Sequence, residues 1–227
     1  MKKSYLVIGS SRGIGAAVAK KLEANGHHVF AVSRSRSQFE SWIPADVTTD
    51  KGIDSIMSHV GTTPIDGLLF MGGIWEENAF TDSYDFLTSP RQEIRDIISV
   101  NLVAPIVLAH SVAKNLSMTP NPRIVLMGST SGMDNHSPQE VAYTASKFGL
   151  RGVSQSLAIA LKHINIGVSI INPGYVGTSE VQNDIASGVG SLESPIPLVD
   201  VVRTIEYILD SSSSTVPQEI NMTGKPG

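Results

Sequence analysis

A run of seven residues near the amino terminus, Gly9-Ser10-Ser11-Arg12-Gly13-Ile14-Gly15, constrains the fold of the whole chain. It follows a short apolar stretch at 4–8 that reads as a buried strand, and it opens the helical pattern Ala16-Ala17-Val18-Ala19-Lys20-Lys21-Leu22. A strand, a glycine turn and a helix in that order form a phosphate-binding unit. The glycines let backbone approach a pyrophosphate, and the helix N-terminus faces its negative charge. The spacing is G-x-x-x-G-x-G, not the commoner G-x-G-x-x-G. A tight turn needing positive φ would account for part of it. Three glycines at this junction favour nucleotide binding by Gly9, Ser11, Arg12, Gly13, Ile14 and Gly15.

The alternation continues to the end of the chain. Strand patterns at 28–32, 43–47, 65–71, 122–127, 167–171 and 219–222 are separated by helical patterns around 50–60, 91–117, 140–163 and 199–209. That order predicts an α/β fold, a doubly wound Rossmann-like parallel sheet of about seven strands with helices on both faces, as one domain over 1–227. A chain of 227 residues can bury such a core unaided. The net charge of −4 argues against nucleic acid or an anionic membrane surface as the main partner. With no cysteine, disulfides and thiol chemistry are excluded. The six histidines lack paired ligand spacing, so no metal is expected. No G-x-S-x-G elbow is present, which weakens a serine-hydrolase reading. The apolar run after Met1-Lys2-Lys3 is too short for a signal peptide or a membrane span, so a cytoplasmic protein is expected.

At the end of the second strand stand Ser33-Arg34-Ser35-Arg36. An acidic residue there would hold an adenosine ribose 2′-hydroxyl, whereas arginine accommodates a 2′-phosphate. Arg34, with Arg12, therefore points to NADP(H) in preference to NAD. Asp46, beside Val47, could accept from an adenine amino group or cap the helix at 50–60. Gly72-Gly73 after the fourth strand lets backbone pass close to a flat ring. Residues 74–90 read as a long loop or broken helix, with Trp75 a candidate pocket wall and Glu76 and Glu77 ordinary surface residues. The segment 178–198, rich in Ser, Gly and Pro, reads as a substrate lid.

Tyr143 and Lys147 lie four positions apart in a helical pattern and so share one face. A cation beside a phenol lowers its pKa, and such a phenol can exchange protons near neutral pH. Chance pairs of this kind are common, with both side chains snorkelling along apolar surface. Asn101 is a poor helix former inside the pattern at 91–117, which marks a kink there and near Pro105. Ser129 and Thr130 follow the fifth strand, at the ligand end of such sheets. The stripe Ala142, Ala145, Gly149 and Gly152 permits close approach of another helix and suggests dimer packing.

Taken together, these motifs resemble a classical short-chain dehydrogenase/reductase over nearly the whole chain. Gly9, Gly13 and Gly15 match the family's glycine motif, Asp46-Val47 its adenine-contacting pair, and Asn101, Ser129, Tyr143 and Lys147 its catalytic tetrad. Pro173-Gly174, Val176 and Thr178 match the segment that contacts the nicotinamide. The resemblance implies hydride transfer between NADP(H) and a small carbonyl or alcohol substrate, in a homodimer or homotetramer. It implies that Tyr143 is the general acid and base and that Lys147 lowers its pKa and holds the nicotinamide ribose. Ser129 would bind the substrate oxygen, with Thr130 in reserve, and Asn101 would anchor a proton-relaying water through its kink. The chain departs from the family in having Phe70-Met71-Gly72-Gly73 where Asn-Asn-Ala-Gly is usual, and Ile8 where Thr is usual. An enoyl-type reductase would space its Tyr and Lys more widely, and Leu150 occupies that wider position. A non-catalytic NADP(H)-binding sensor or scaffold is the alternative of a different class; such a protein would not need the proton-transfer groups.

Overall fold

The computed structural model describes residues 2–186 and 194–225. The chain begins with β1 (Ser4–Ile8), α1 (Gly13–Ala24), β2 (His28–Ser33), β3 (Trp42–Pro44), α2 (Asp50–Val60) and β4 (Gly67–Phe70). It continues through α3 (Arg91–Ile98), α4 (Ala104–Leu116), β5 (Arg123–Met127), α5 (Val141–Ala160) and β6 (Gly167–Pro173). It closes with β7 (Val176–Gly177), α6 (Ser179–Ala186), β8 (Ile196–Pro197), α7 (Leu198–Asp210) and β9 (Glu219–Met222). Seven strands form one parallel sheet in the order β3-β2-β1-β4-β5-β6-β9, the Rossmann-like architecture expected.

Both faces of the sheet are covered, so its central strands β1, β2, β4, β5 and β6 are buried without alternation. Leu6 and Ile8 of β1 join one core, with Ile56 of α2, Leu108 and Val112 of α4 and Leu150 of α5. Tyr5 and Val7 point the other way, into a core with Val18 and Leu22 of α1 and Val201, Ile205 and Ile208 of α7. The strand order reverses between β1 and β4. Ile8 lies in register with Val32 on one side and Phe70 on the other, so the segments starting at Gly9, Ser33 and Met71 leave the sheet at one edge. A crevice opens there, at the carboxyl ends of the strands.

The third strand is shorter than expected and stops before Asp46. Pro44 has no N–H to continue the ladder, and Asp46 turns the chain by accepting from the Thr48 amide and hydroxyl. The cap of α2 is Thr49, which accepts from the Gly52 amide, so the capping role weighed for Asp46 falls to its neighbour. The long helix expected to be interrupted near Asn101 and Pro105 is interrupted there by a π-turn, Ser99–Val103, which joins α3 to α4. Pro105 has no N–H to offer the Asn101 carbonyl four residues back, and the π-turn absorbs that mismatch. Arg91–Leu116 is long and apolar enough to cross a membrane, but its Leu108, Ala109, Val112 and Leu116 are fully buried against the sheet.

The small-residue stripe of α5 is partly used within the chain. A Cβ at Gly149 would lie 2.9 Å from Leu102 of the π-turn, and Ala142 is buried. Gly152 faces open space. Of the expected lid, Ser179–Ala186 is helical and Ile196–Pro197 pairs with Val176–Gly177; 187–193 lie outside the described residues.

Candidate active site

The glycine turn folds as its spacing demands. Gly9 adopts a φ of 85°, and a Cβ there would sit 2.8 Å from backbone atoms of Gly72. A Cβ at Gly15 would be 2.2 Å from the Gly9 carbonyl oxygen, so α1 can start this close to β1 only with glycine. Gly13 brings the turn within reach of Thr178, whose methyl lies 3.6 Å from where a Cβ would stand. Arg12, at the N-cap of α1, places no side chain on the first-turn amides. Those amides are thus available to an anion.

The residues expected around the adenosine end are only partly gathered. Ser33 is occupied within the protein, its hydroxyl donating to the Ser35 carbonyl and accepting from the Trp42 indole. Arg36 lies over the Trp42 ring at 5.2 Å. Arg12 pairs at 3.9 Å with Glu180 of α6, an exposed contact of little energetic weight. Arg34 is exposed and acts electrostatically on Asp46. The Thr48 hydroxyl and amide hold the Asp46 carboxyl below its ordinary range, and Arg34 pulls it lower. Val47 packs against the core. Thr178 accepts from the Val181 amide at the start of α6, while the Gly174 amide bonds the Met222 carbonyl and fixes the exit from β6.

The four residues of the expected tetrad converge around β5 and α5. Ser129, buried just past β5, accepts from the Ser131 amide at 3.1 Å and is hydrogen-bonded to the Tyr143 phenol. Thr130 is directed toward Gly174. Lys147 is 4 % exposed and donates from Nζ to the Met127 carbonyl at 2.9 Å. That Nζ lies 5.5 Å from the centre of the Tyr143 ring and 3.5 Å from where a Cβ of Gly73 would stand. Asn101 accepts from the Ile74 amide at 2.9 Å and donates to the Ile74 carbonyl and to Ser146 Oγ. Both its amide hydrogens are thereby committed to fixing the loop after β4 against α5.

The electrostatics differ from expectation in one respect. Lys147 was expected to depress the Tyr143 pKa. Instead burial pushes the phenol up, the Ser129 hydrogen bond opposes this, and the charges of Glu76 and Glu140 push it up further. Burial also lowers the Lys147 ammonium from 10.5 to about 8.

Glu76, read from sequence as a surface residue, is 2 % exposed. Its Oε1 accepts from the amides of Ala142 and Tyr143 at 2.8 and 3.1 Å, capping α5 from a distant loop. Glu140, fully buried at the N-cap of the same helix, reaches back to accept from the Phe80 amide at 2.6 Å. Phe80 is held at a φ of 64°, a conformation rare for an aromatic residue. Its ring and that of Trp75 both stand edge-on to Tyr143.

Residues 3–188 match the short chain dehydrogenase family. The chain belongs to that family. As a short-chain dehydrogenase it is 29% identical over 230 residues to carbonyl reductase family member 4 of Xenopus laevis, covering 93% of this chain and 92% of that one. It is 28% identical over 184 residues to the 3-oxoacyl-[acyl-carrier-protein] reductase MabA of Mycobacterium tuberculosis, covering 78% and 71%. Among solved structures, 4-hydroxyisoleucine dehydrogenase complexed with NADH superposes with a TM-score of 0.84 at 25% identity, over 98% of each chain. ElxO with NADP bound superposes at 0.83 and 21%, over 99% of this chain and 98% of that one, which establishes likeness of fold.

In this short-chain dehydrogenase the departure at Phe70-Met71-Gly72-Gly73 has a geometric counterpart. Gly72 packs against Gly9, and Gly73 leaves space beside Asn101 and Lys147. What sequence reasoning missed was the exchange between Glu76 and Glu140. Each carboxylate serves backbone 60 or more residues away, and no local pattern marks such a pairing.

Proposed function

We propose that this short-chain dehydrogenase interconverts a ketone or aldehyde and its alcohol with NADP(H), Tyr143 serving as general acid and base. The observation that carries this reading is the meeting of Tyr143, Ser129 and buried Lys147 at the carboxyl end of β5. The residues present fit a nicotinamide dinucleotide. The first-turn amides of α1 carry no side-chain cap, and Gly9 and Gly15 let the turn pack so tightly that a Cβ at either would clash with backbone. Gly9, Ser11, Arg12, Gly13, Ile14 and Gly15 would hold the pyrophosphate, Arg34 the 2′-phosphate, and Asp46 and Val47 the adenine. Gly72, Gly73, Pro173, Gly174, Val176 and Thr178 would border the nicotinamide end. When bound, the cofactor supplies or accepts the hydride.

The protein's own groups handle the proton. A phenol raised by burial and by two carboxylates stays protonated at neutral pH, which suits donation to a carbonyl oxygen during reduction. Ser129 steadies the charge developing on that oxygen. Lys147, titrating near 8, can return a proton to Tyr143. The Asn101 carbonyl, denied its α-helical partner by Pro105, anchors a water that connects Lys147 to solvent. We further read the protein as a cytoplasmic homodimer or homotetramer acting on a small molecule, with no membrane or nucleic-acid partner. Exposed Val103, Ile106 and Phe148, on the π-turn, α4 and α5, supply the apolar face for assembly.

The test is NADPH oxidation over ketones, aldehydes, 3-oxoacyl thioesters, quinones and sugars. Tyr143→Phe should keep NADPH affinity and lose about 10²–10⁴-fold in turnover. Undiminished reduction in that variant overturns the assignment, and NADPH binding without turnover across the panel favours the scaffold alternative.

A further inference from the structure

The segments that follow β4, β5 and β6 border the crevice at the carboxyl ends of the sheet. The described residues 71–90, 128–146, 174–186 and 194–202 together contain nine Asp or Glu and no Lys or Arg, and Arg203, next in the chain, pairs with Asp200 at 3.3 Å. The cations nearest this border face other groups. Lys147 is buried on the Met127 carbonyl. Arg151, which reaches the segment carrying Ser129, bonds Glu219 at 2.9 Å and the Gly132 carbonyl at 3.0 Å, with Asp134 at 3.8 Å. Arg12 stands on the glycine turn and pairs with Glu180.

Beside this acidic border lies an aromatic corner. Trp75 and Phe80 meet at 6.2 Å and 60°, Trp75 and Tyr143 at 6.4 Å and 89°, and Phe80 and Tyr143 at 5.5 Å and 84°. Trp75 and Phe80 are each 54 % exposed, a large apolar area to leave against solvent. The corner is held firmly. Glu140 clamps the Phe80 amide in its left-handed conformation, and Asn101 fixes both backbone groups of Ile74 next to Trp75.

We propose that the site selects carbonyl compounds bearing a flat apolar group beside the C=O and discriminates against those carrying a carboxylate or phosphate. This rests on the reading of Tyr143 as the group that meets the carbonyl oxygen. Edge and face contacts with Trp75 and Phe80 hold the flat group. The carboxylates raise the energy of an anion in the crevice, and no free arginine or lysine in its bordering segments offsets that. A cationic substituent is tolerated or favoured there.

The experiment uses the full chain and three aldehydes that share one ring: benzaldehyde, 4-carboxybenzaldehyde and 4-(trimethylammonio)benzaldehyde. At low ionic strength kcat/KM for NADPH-dependent reduction should be at least ~10-fold lower for the carboxylate than for the other two, and the gap should narrow with added salt. Equal values, or the carboxylate as best substrate, overturn the proposal. Trp75→Ala, at an exposed side chain, should lower kcat/KM for benzaldehyde more than for acetaldehyde; an equal loss for both overturns the aromatic contact. Calorimetric titration of the three probes into Tyr143→Phe separates the two readings. If the same charge order of affinity appears there while the wild type reduces none of them, carbonyl reduction falls and the selection stands. If the order is absent, the selection falls whatever the turnover.

Discussion

Lys147 is a cation held almost wholly out of bulk solvent. Its single hydrogen bond to the Met127 carbonyl does not replace hydration, and burial lowers it from 10.5 to about 8. The sign for stability follows directly. Below pH 8 the lysine is protonated in folded and unfolded chains alike, and the folded chain bears the full burden of the buried charge. Between about 8 and 10.5 the unfolded chain binds a proton that the folded chain lacks, so stability rises with pH. The whole difference corresponds to about 3 kcal/mol. Lys147→Met, of similar volume and uncharged, should therefore have a higher urea midpoint than the wild type at pH 7, both measured without cofactor. The two midpoints should converge by pH 10. A gap that does not change with pH sinks the assignment of a strained ammonium.

Between elements, α5 and the loop after β4 exchange carboxylates. Glu76 caps the helix and Glu140 caps the loop, so neither end is formed without the other. Glu76→Ala should leave two buried amides unpaired and destabilise the chain by about 1–3 kcal/mol. Glu76→Gln keeps an acceptor oxygen but removes the charge, and should destabilise less. Because that charge raises the Tyr143 pKa, the Gln variant should move the acidic limb of alcohol oxidation to lower pH, read from a kcat/KM profile. An unmoved limb would mean that Glu76 acts on Tyr143 through position alone. None of this is legible along the chain, since a glutamate in a polar loop looks solvated until the fold buries it. Asn101 and Pro105 were legible as a disturbance in the helix, but not its form. Whether a helix breaks or takes up a π-turn depends on the Ile74 and Ser146 groups that hold Asn101 from outside. Ser129 is preferred to Thr130 only because the fold directs one to Tyr143 and the other to Gly174.

At the scale of the whole molecule, apolar strands and glycine turns made the seven-stranded order readable, because local periodicity and steric exclusion determine them. The crevice proposed for the cofactor was readable in outline for the same reason: it lies where the order reverses between β1 and β4. Its charge balance was not, because it depends on groups from remote parts of the sequence. Arg34 leaves β2 beside Asp46, and Arg12 leaves β1 but leans toward Glu180 of α6. Arg34→Asp removes the cation that a 2′-phosphate would meet and adds a carboxylate beside Asp46. It should reduce the preference for NADPH over NADH, measured as a ratio of kcat/KM, by at least ~10-fold. Glu180→Gln should act in the opposite direction by releasing Arg12, and more weakly, because a pair this exposed is screened. The two effects should add, since Arg34 acts beside Asp46 and Glu180 beside Arg12, on separate elements. Strong non-additivity in the double variant would mean that Arg12 and Arg34 serve one phosphate together, and an unchanged ratio in Arg34→Asp would remove Arg34 from cofactor choice altogether.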